Sequence, residues 1–214
     1  NVITIIGAGL VGALAYSFSD TFWFSAVEAE VYAMSSLFTA VVFWAMLKWE
    51  EQADEPWSNR WIILISFLMG LSIGVHLLNL LTIPALVFIY YYKKYDVTRK
   101  GIFYVLLISA LILGVVLFGV IPYLPKIAAY VDLLFVNGFS MPFNSGATFF
   151  MLALLGFLFF AIFRTYKRGM VLLNTILLAF TMIVIGYSSF AVVIIRSSAN
   201  TPTNEYQPDN PFTL

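Results

Sequence analysis

The sequence predicts an all-α fold, a polytopic transmembrane helical bundle, and three observations carry that expectation. Hydrophobic residues make up 62% of the 214 and Asp, Glu, Lys and Arg together 10%, against roughly 45–50% and about 25% in a soluble domain. Mean hydropathy is +0.94. The charges gather in short clusters between apolar runs, and most runs approach the about 20 helical residues needed to cross a roughly 30 Å hydrocarbon core.

Seven such runs can be marked, at 2–18, 31–48, 61–77, 78–92, 102–122, 147–163 and 170–195. The first follows Asn1 with no basic segment before it, so it is expected to be a span rather than a signal peptide, with further chain upstream. Its Gly7, Gly9 and Gly12 predict close helix packing. The third and fourth runs are short and almost contiguous, joined through Gly70, Gly74, His76 and Asn79 and followed by Pro84. This predicts a helix, a turn and a second short helix, because Gly and Pro are tolerated at membrane depth where neighbours satisfy the freed backbone. Segment 123–146, with the glycines and asparagines of 137–146 near its end, is expected to be an outer-face loop of the kind that often carries binding residues. The chain is expected to form a single transmembrane domain, 1–214, ending in an irregular tail, 197–214.

Charge sets the expected orientation. Segments 48–60, 93–100 and 164–169 hold nine of the eleven Lys and Arg, which the positive-inside rule assigns to the cytoplasm. Only Lys126 and Arg196 fall on the other side, so the N-terminus is expected to be cytoplasmic and the tail external. Trp44, Trp49, Trp57, Trp61 and Tyr90 to Tyr92 gather near the cytoplasmic ends as an interfacial belt.

Several function classes are excluded. A net charge of zero gives no field for nucleic acid. With no cysteine there is no disulfide framework and no thiolate site. No glycine-rich phosphate loop, nucleophile elbow or paired histidines occur. One histidine, His76, makes no metal centre by itself.

The polar residues left over fall on the expected outer face. Asp20, Trp23, Glu28, Glu30 and Tyr32 lie between the first two spans, and an acid beside a hydrocarbon layer is a functional-site candidate by default. Glu28 and Glu30 would be about 200° apart on one helix. A helix starting near Ser25 would align Ser25, Glu28, Tyr32 and Ser35 and favour Glu28 as the acid facing the site; alternatively both acids satisfy buried donors or pair with Arg196. His76 and Asn79, three residues apart, can share a helix face. His76 would either cap a turn or bond a phosphate or sugar oxygen. Arg196 would either snorkel to the interface or clamp an anion with its planar fork.

The stretches 19–36, 70–81 and 195–200 resemble the DUF2723 group of Bacteroidetes membrane proteins, which is similar to protein O-mannosyltransferases and to the vertebrate transmembrane protein 260. The resemblance runs through essentially the whole chain. It implies a GT-C fold and a multi-pass glycosyltransferase of the bacterial cytoplasmic (inner) membrane. Such an enzyme takes a sugar from a polyprenyl-phosphate donor and delivers it to a protein, at Ser or Thr, or a glycan acceptor on the periplasmic face. The polyprenyl-phosphate donor and membrane lipid are then the partners, and the resemblance implies no specific further cofactor. The family's acidic motif and main catalytic base belong to a first external loop that would lie upstream of Val2, so the chain is expected to be an internal portion. Glu28 with Asp20 would support catalysis, while Glu30, Trp23, Tyr32, His76, Asn79 and Arg196 would bind substrate. The alternative is a non-catalytic transporter, lipid-handling or scaffold subunit of an envelope complex.

Overall fold

The computed structural model describes residues 1–28, 31–199, 201–204, 206–210 and 213. It is all-helical, with no strand among those residues. In chain order the helices are α1 (Val2–Ser17), α2 (Asp20–Val27), α3 (Tyr32–Glu51), α4 (Asn59–Ile73), a 3₁₀ turn (Leu77–Thr82), α5 (Ile83–Lys94) and α6 (Arg99–Gly114). They continue through a π segment (Val115–Val120), α7 (Ile121–Phe139), α8 (Ser145–Lys167), α9 (Val171–Tyr187), a 3₁₀ turn (Ser188–Ala191) and α10 (Val192–Ser197).

Every expected apolar run is helical, but not every run is long enough to cross. Three stretches have the length and hydropathy for a membrane span: Arg99–Phe139, Ser145–Lys167 and Val171–Ser197. A fourth arises if α1 and α2, bent by 61° at residues 18–19, count as one. Helix α4 has 15 residues, about 22 Å at 1.5 Å each, and ends at Gly74 as its glycine suggests.

The heart of the bundle is a parallel pair formed by helices more than a hundred residues apart. Asn59 Nδ2 of α4 donates to Thr175 Oγ1 of α9 at 3.2 Å. One end further on, a Cβ on Gly186 would lie 2.5 Å from the Phe67 carbonyl oxygen and 2.7 Å from the Leu71 nitrogen. Gly70 likewise abuts the Ile183 backbone. Two glycines thus let the helix backbones touch, the small-residue solution to association in lipid. Around this pair α3 contributes Val42, Ala45, Met46 and Trp49, α4 contributes Ile65, Met69 and Ile73, and Leu80, Leu86 and Val116 close the core.

One end of the bundle collects the charged connectors, as the charge pattern predicts. Gln52 Oε1 accepts from Arg60 and from the Trp61 indole, each at 2.8 Å. Lys94 Nζ reaches back to the Ala53 carbonyl (2.6 Å) and to Asp54 Oδ1 (2.8 Å). The Tyr91 hydroxyl donates to the Asp96 carbonyl and accepts from the Thr98 amide, which seats the start of α6 beside the end of α5. Asn174 at the start of α9 donates to Thr165 Oγ1 near the end of α8. The three connectors holding nine of the eleven Lys and Arg therefore share one side.

The expected loop at 123–146 is mostly helix. Helix runs unbroken from Arg99 to Phe139, 41 residues with a π segment in the middle, about 60 Å end to end and about twice a hydrocarbon core. Pro125 sits inside α7 and cannot donate to the Ile121 carbonyl four residues back. Tyr187 Oη, from the end of α9, donates to that carbonyl instead at 3.0 Å. Only residues 140–144 turn the chain, with Ser140 and Asn144 left-handed at φ 53° and 68°.

The next helix starts on a remote cap. Asp132 is 7% exposed, and its carboxylate accepts from the backbone N–H of Asn144 (3.0 Å), Gly146 (2.9 Å) and Ala147 (3.3 Å). It satisfies the orphan donors at the N-terminus of α8 and complements the helix dipole. Gly146 makes the approach possible, since a Cβ there would lie 2.5 Å from the Asp132 Cα.

Candidate functional site

The end of the bundle opposite the charged connectors carries the candidate residues. Ser19 caps α2: its Oγ accepts from the Phe22 amide at 3.4 Å and donates to the Tyr16 carbonyl at 2.8 Å. Asp20 follows in the first turn, where a carboxylate suits the helix dipole. Two ring contacts brace the bend before it, Tyr16 with Phe22 at 4.5 Å and Phe18 with Trp23 at 6.0 Å. Asp20, Trp23 and Glu28 are exposed.

The polar stripe expected along one helix from Ser25 to Ser35 is not formed. Helix α2 stops at Val27, Glu28 is extended (φ −70°, ψ 148°), and α3 begins at Tyr32. Ser25 and Tyr32 therefore sit on different helices, and Ser35 is buried. Glu28 stands exposed at the break, and no ion pair joins it to Arg196 among the described residues. Glu30 lies outside the described residues.

Tyr32 meets His76, with ring centroids 5.5 Å apart and planes tilted by 51°. His76 Nδ1 accepts from the Leu78 amide at 3.0 Å and caps the 3₁₀ turn. An Nδ1 that accepts is unprotonated, so in the neutral ring Nε2 carries the hydrogen and is a donor. The capping role is thus observed, and it fixes the tautomer that the phosphate-binding role needs.

Asn79 is not part of the exposed surface. It is 1% exposed, its Oδ1 accepts from Thr39 Oγ1 at 2.9 Å and its Nδ2 lies 3.5 Å from Met69 Sδ. Instead of pairing with His76 toward solvent, it locks the 3₁₀ turn onto α3 and α4. The expected shared face fails because His76 is the extended cap of the turn (φ −162°, ψ 134°) and not part of the helix, so helical i, i+3 spacing does not relate the two side chains.

The end of α9 joins this region through Gly74, whose built Cβ would lie 3.5 Å from Ser189 Oγ. Arg196 follows on α10, exposed, its guanidinium without a hydrogen bond or ion pair among the described residues. Ser197 Oγ and Asn204 Oδ1, 2.9 Å apart, tie the tail to the same end. Among the described residues no three of His, Cys, Asp and Glu gather to hold a metal ion.

Residues 1–99 match the family model of the Protein O-mannosyl-transferase TMEM260 N-terminal domain. The match takes in α1 to α5, and with them every candidate site residue except Arg196. No curated protein and no solved structure matches the chain. The helices and the matched domain together support a membrane protein of glycosyltransferase character.

Sequence reasoning missed Asp132. It stands between Ala128-Ala129-Tyr130-Val131 and Leu133-Leu134-Phe135-Val136, and an acid in the middle of an apolar helical run is a signal for a buried, bonded carboxylate.

Proposed function

We propose that this chain is the outer-face module of a multi-pass glycosyltransferase of GT-C type, in the bacterial cytoplasmic membrane. It transfers a sugar from a polyprenyl-phosphate donor to a protein hydroxyl, at Ser or Thr, on the periplasmic side. The match of residues 1–99 to an O-mannosyltransferase N-terminal domain carries this reading. In the reaction a carboxylate takes the acceptor O–H proton as the oxygen attacks the sugar's anomeric carbon. The bond to the lipid phosphate breaks, and the phosphate leaves with the electron pair.

The leaving phosphate needs hydrogen-bond donors or cations that are not already engaged. His76 offers Nε2–H, held in that tautomer by its cap, and Arg196 offers an exposed guanidinium, without a partner among the described residues, whose fork suits phosphate oxygens. Glu28 and Asp20, both exposed at the ends of α2, organise the acceptor or sugar side, with Trp23 and Tyr32 as ring surfaces for the sugar. Glu30 belongs to the same proposed segment.

The test is sugar transfer from a labelled polyprenyl-phosphate donor in membranes containing the full-length protein. Glu28→Gln and Arg196→Ala should each lower turnover by about tenfold or more, equivalent to about 1.4 kcal/mol of barrier. Unchanged turnover in both overturns the site.

A further inference from the structure

Between α7, α8 and the run from the end of α9 through α10 lies an open cavity of about 680 Å³ whose lining includes neither Ser189 nor Arg196. Its walls come from α7 (Leu124, Ala128), α8 (Met151, Leu152) and the run through α10 (Ala191, Ile195), and the tail's Asp209 closes the lining. The lining is chiefly hydrocarbon, the volume falls in the range of ligand sites, and α8 and α9 are among the helices fit to cross a membrane.

The charges around it disfavour a phosphate that brings no cation of its own. Among the described residues Asp209 is the only charged one in the lining, and its Oδ1 already accepts from Asn210 Nδ2 at 2.8 Å and from Thr213 Oγ1 at 3.4 Å. The two cations of this end point elsewhere. At about 100° per residue, Arg196 falls about 150° round from the stripe formed by Ala191, Ile194, Ile195 and Ser198. Lys126 falls similarly far from Leu124 and Ala128, and its ammonium lies over the Tyr123 ring at 5.8 Å. A polyprenyl phosphate placed here would set its anion beside a carboxylate with no cation to compensate.

We propose that this cavity holds one acyl chain of a bilayer phospholipid with an amine-bearing head group, such as phosphatidylethanolamine, whose ammonium meets Asp209. Apolar walls facing hydrocarbon gain dispersion contacts only when filled, and the ammonium complements the single charge at the rim. The site is separate from the proposed transfer site and does not depend on it.

The test uses the full protein in proteoliposomes containing phosphatidylethanolamine with a photoactivatable acyl chain, with labelled peptides identified by mass spectrometry. Label should concentrate in 124–152 and 184–198 and fall by about fivefold or more, a free-energy change near 1 kcal/mol, in Ala191→Trp and in Leu152→Trp. Leu152 is 67% exposed, so that variant keeps the test alive if Ala191→Trp fails to fold. The same probe with a phosphatidylglycerol head should label less, and Asp209→Asn should erase the difference. Label spread evenly over exposed helices, equal labelling by both heads, or complete competition by equimolar polyprenyl phosphate would each overturn the proposal.

Discussion

The Tyr187 hydroxyl donates to the Ile121 carbonyl, the one backbone acceptor that Pro125 leaves without its helical partner. The bond joins residues 66 apart and makes a proline tolerable inside a long apolar helix. Tyr187→Phe removes the donor and keeps the ring that stacks on Phe190 at 5.9 Å. The expected loss is about 0.5–1.5 kcal/mol, toward the lower end because hydrogen bonds between membrane helices average about 0.6 kcal/mol. Thermal unfolding in detergent should show it, and Tyr187→Phe with Pro125→Ala should recover most of it, since alanine restores the helical donor.

Asp132 gives a steeper prediction. Its carboxylate serves three backbone donors at the start of α8, so Asp132→Ala strands buried N–H groups and should cost about 1–3 kcal/mol. Asp132→Asn keeps an acceptor oxygen and should cost less. Gly146→Ala should be at least as damaging as Asp132→Ala, because the new methyl meets the α7 backbone itself. Equal stability of all three to the parent protein would contradict the remote-cap account.

The same residues show what the sequence could and could not disclose. The grouping of connectors was legible, because Lys and Arg mark one side by a rule that needs no pairing information. The helix at Ile121–Phe139 was not. Pro122, Pro125 and Asp132 are each local arguments for a loop, and each is answered by a partner far away in sequence or by helix geometry: Tyr187 for the freed carbonyl, the α8 terminus for the carboxylate. The break between α2 and α3 was invisible for the opposite reason, since nothing at Glu28 is a strong breaker. Gly7, Gly9 and Gly12 predicted close packing, yet a Cβ at any of them meets nothing within 4 Å in this chain. The working glycines are Gly70 and Gly186, which the parallel pairing of α4 and α9 brings together.

That pairing predicts that Gly70→Ala and Gly186→Ala each push α4 and α9 apart. Neither methyl has a flexible side chain to displace, only backbone, so each substitution should cost about 1–3 kcal/mol. The two share one contact and should be less than additive. Denaturant or thermal unfolding of the singles and the double completes the cycle.

At the charged end, the ammonium of Lys94 beside Asp54 holds that carboxyl below the usual range, and Lys48 does the same for Glu51, in both cases first through the hydrogen bond and then through charge. A depressed carboxylate adds stability that is fully present above the unfolded value and is lost as pH falls through the folded one. The contribution should therefore be intact at neutral pH and disappear on acidification below about pH 4. Both acids are exposed, so the effect is small and salt-sensitive. Lys94→Gln should flatten the acid limb of the stability profile at low ionic strength and leave the pH dependence unchanged at high salt, where only the pH-independent loss of the bond to the Ala53 carbonyl remains.

His76 allows its structural and functional roles to be separated by one substitution. The ring's Nδ1 caps the 3₁₀ turn through the Leu78 amide, and Nε2–H is the donor proposed for the leaving phosphate. Asparagine is among the best side chains for accepting at a cap, and loss of a cap costs about 0.5–2 kcal/mol. His76→Asn should hold the turn, and with it the Asn79 bond to Thr39, within a few tenths of a kcal/mol of the parent, while removing the Nε2 donor. His76→Ala removes both. If His76 serves the phosphate, the two variants lose sugar transfer alike, by about tenfold or more, and only His76→Ala loses stability. If the residue is a cap and nothing else, His76→Asn keeps full turnover, and the phosphate-side assignment rests on Arg196 alone.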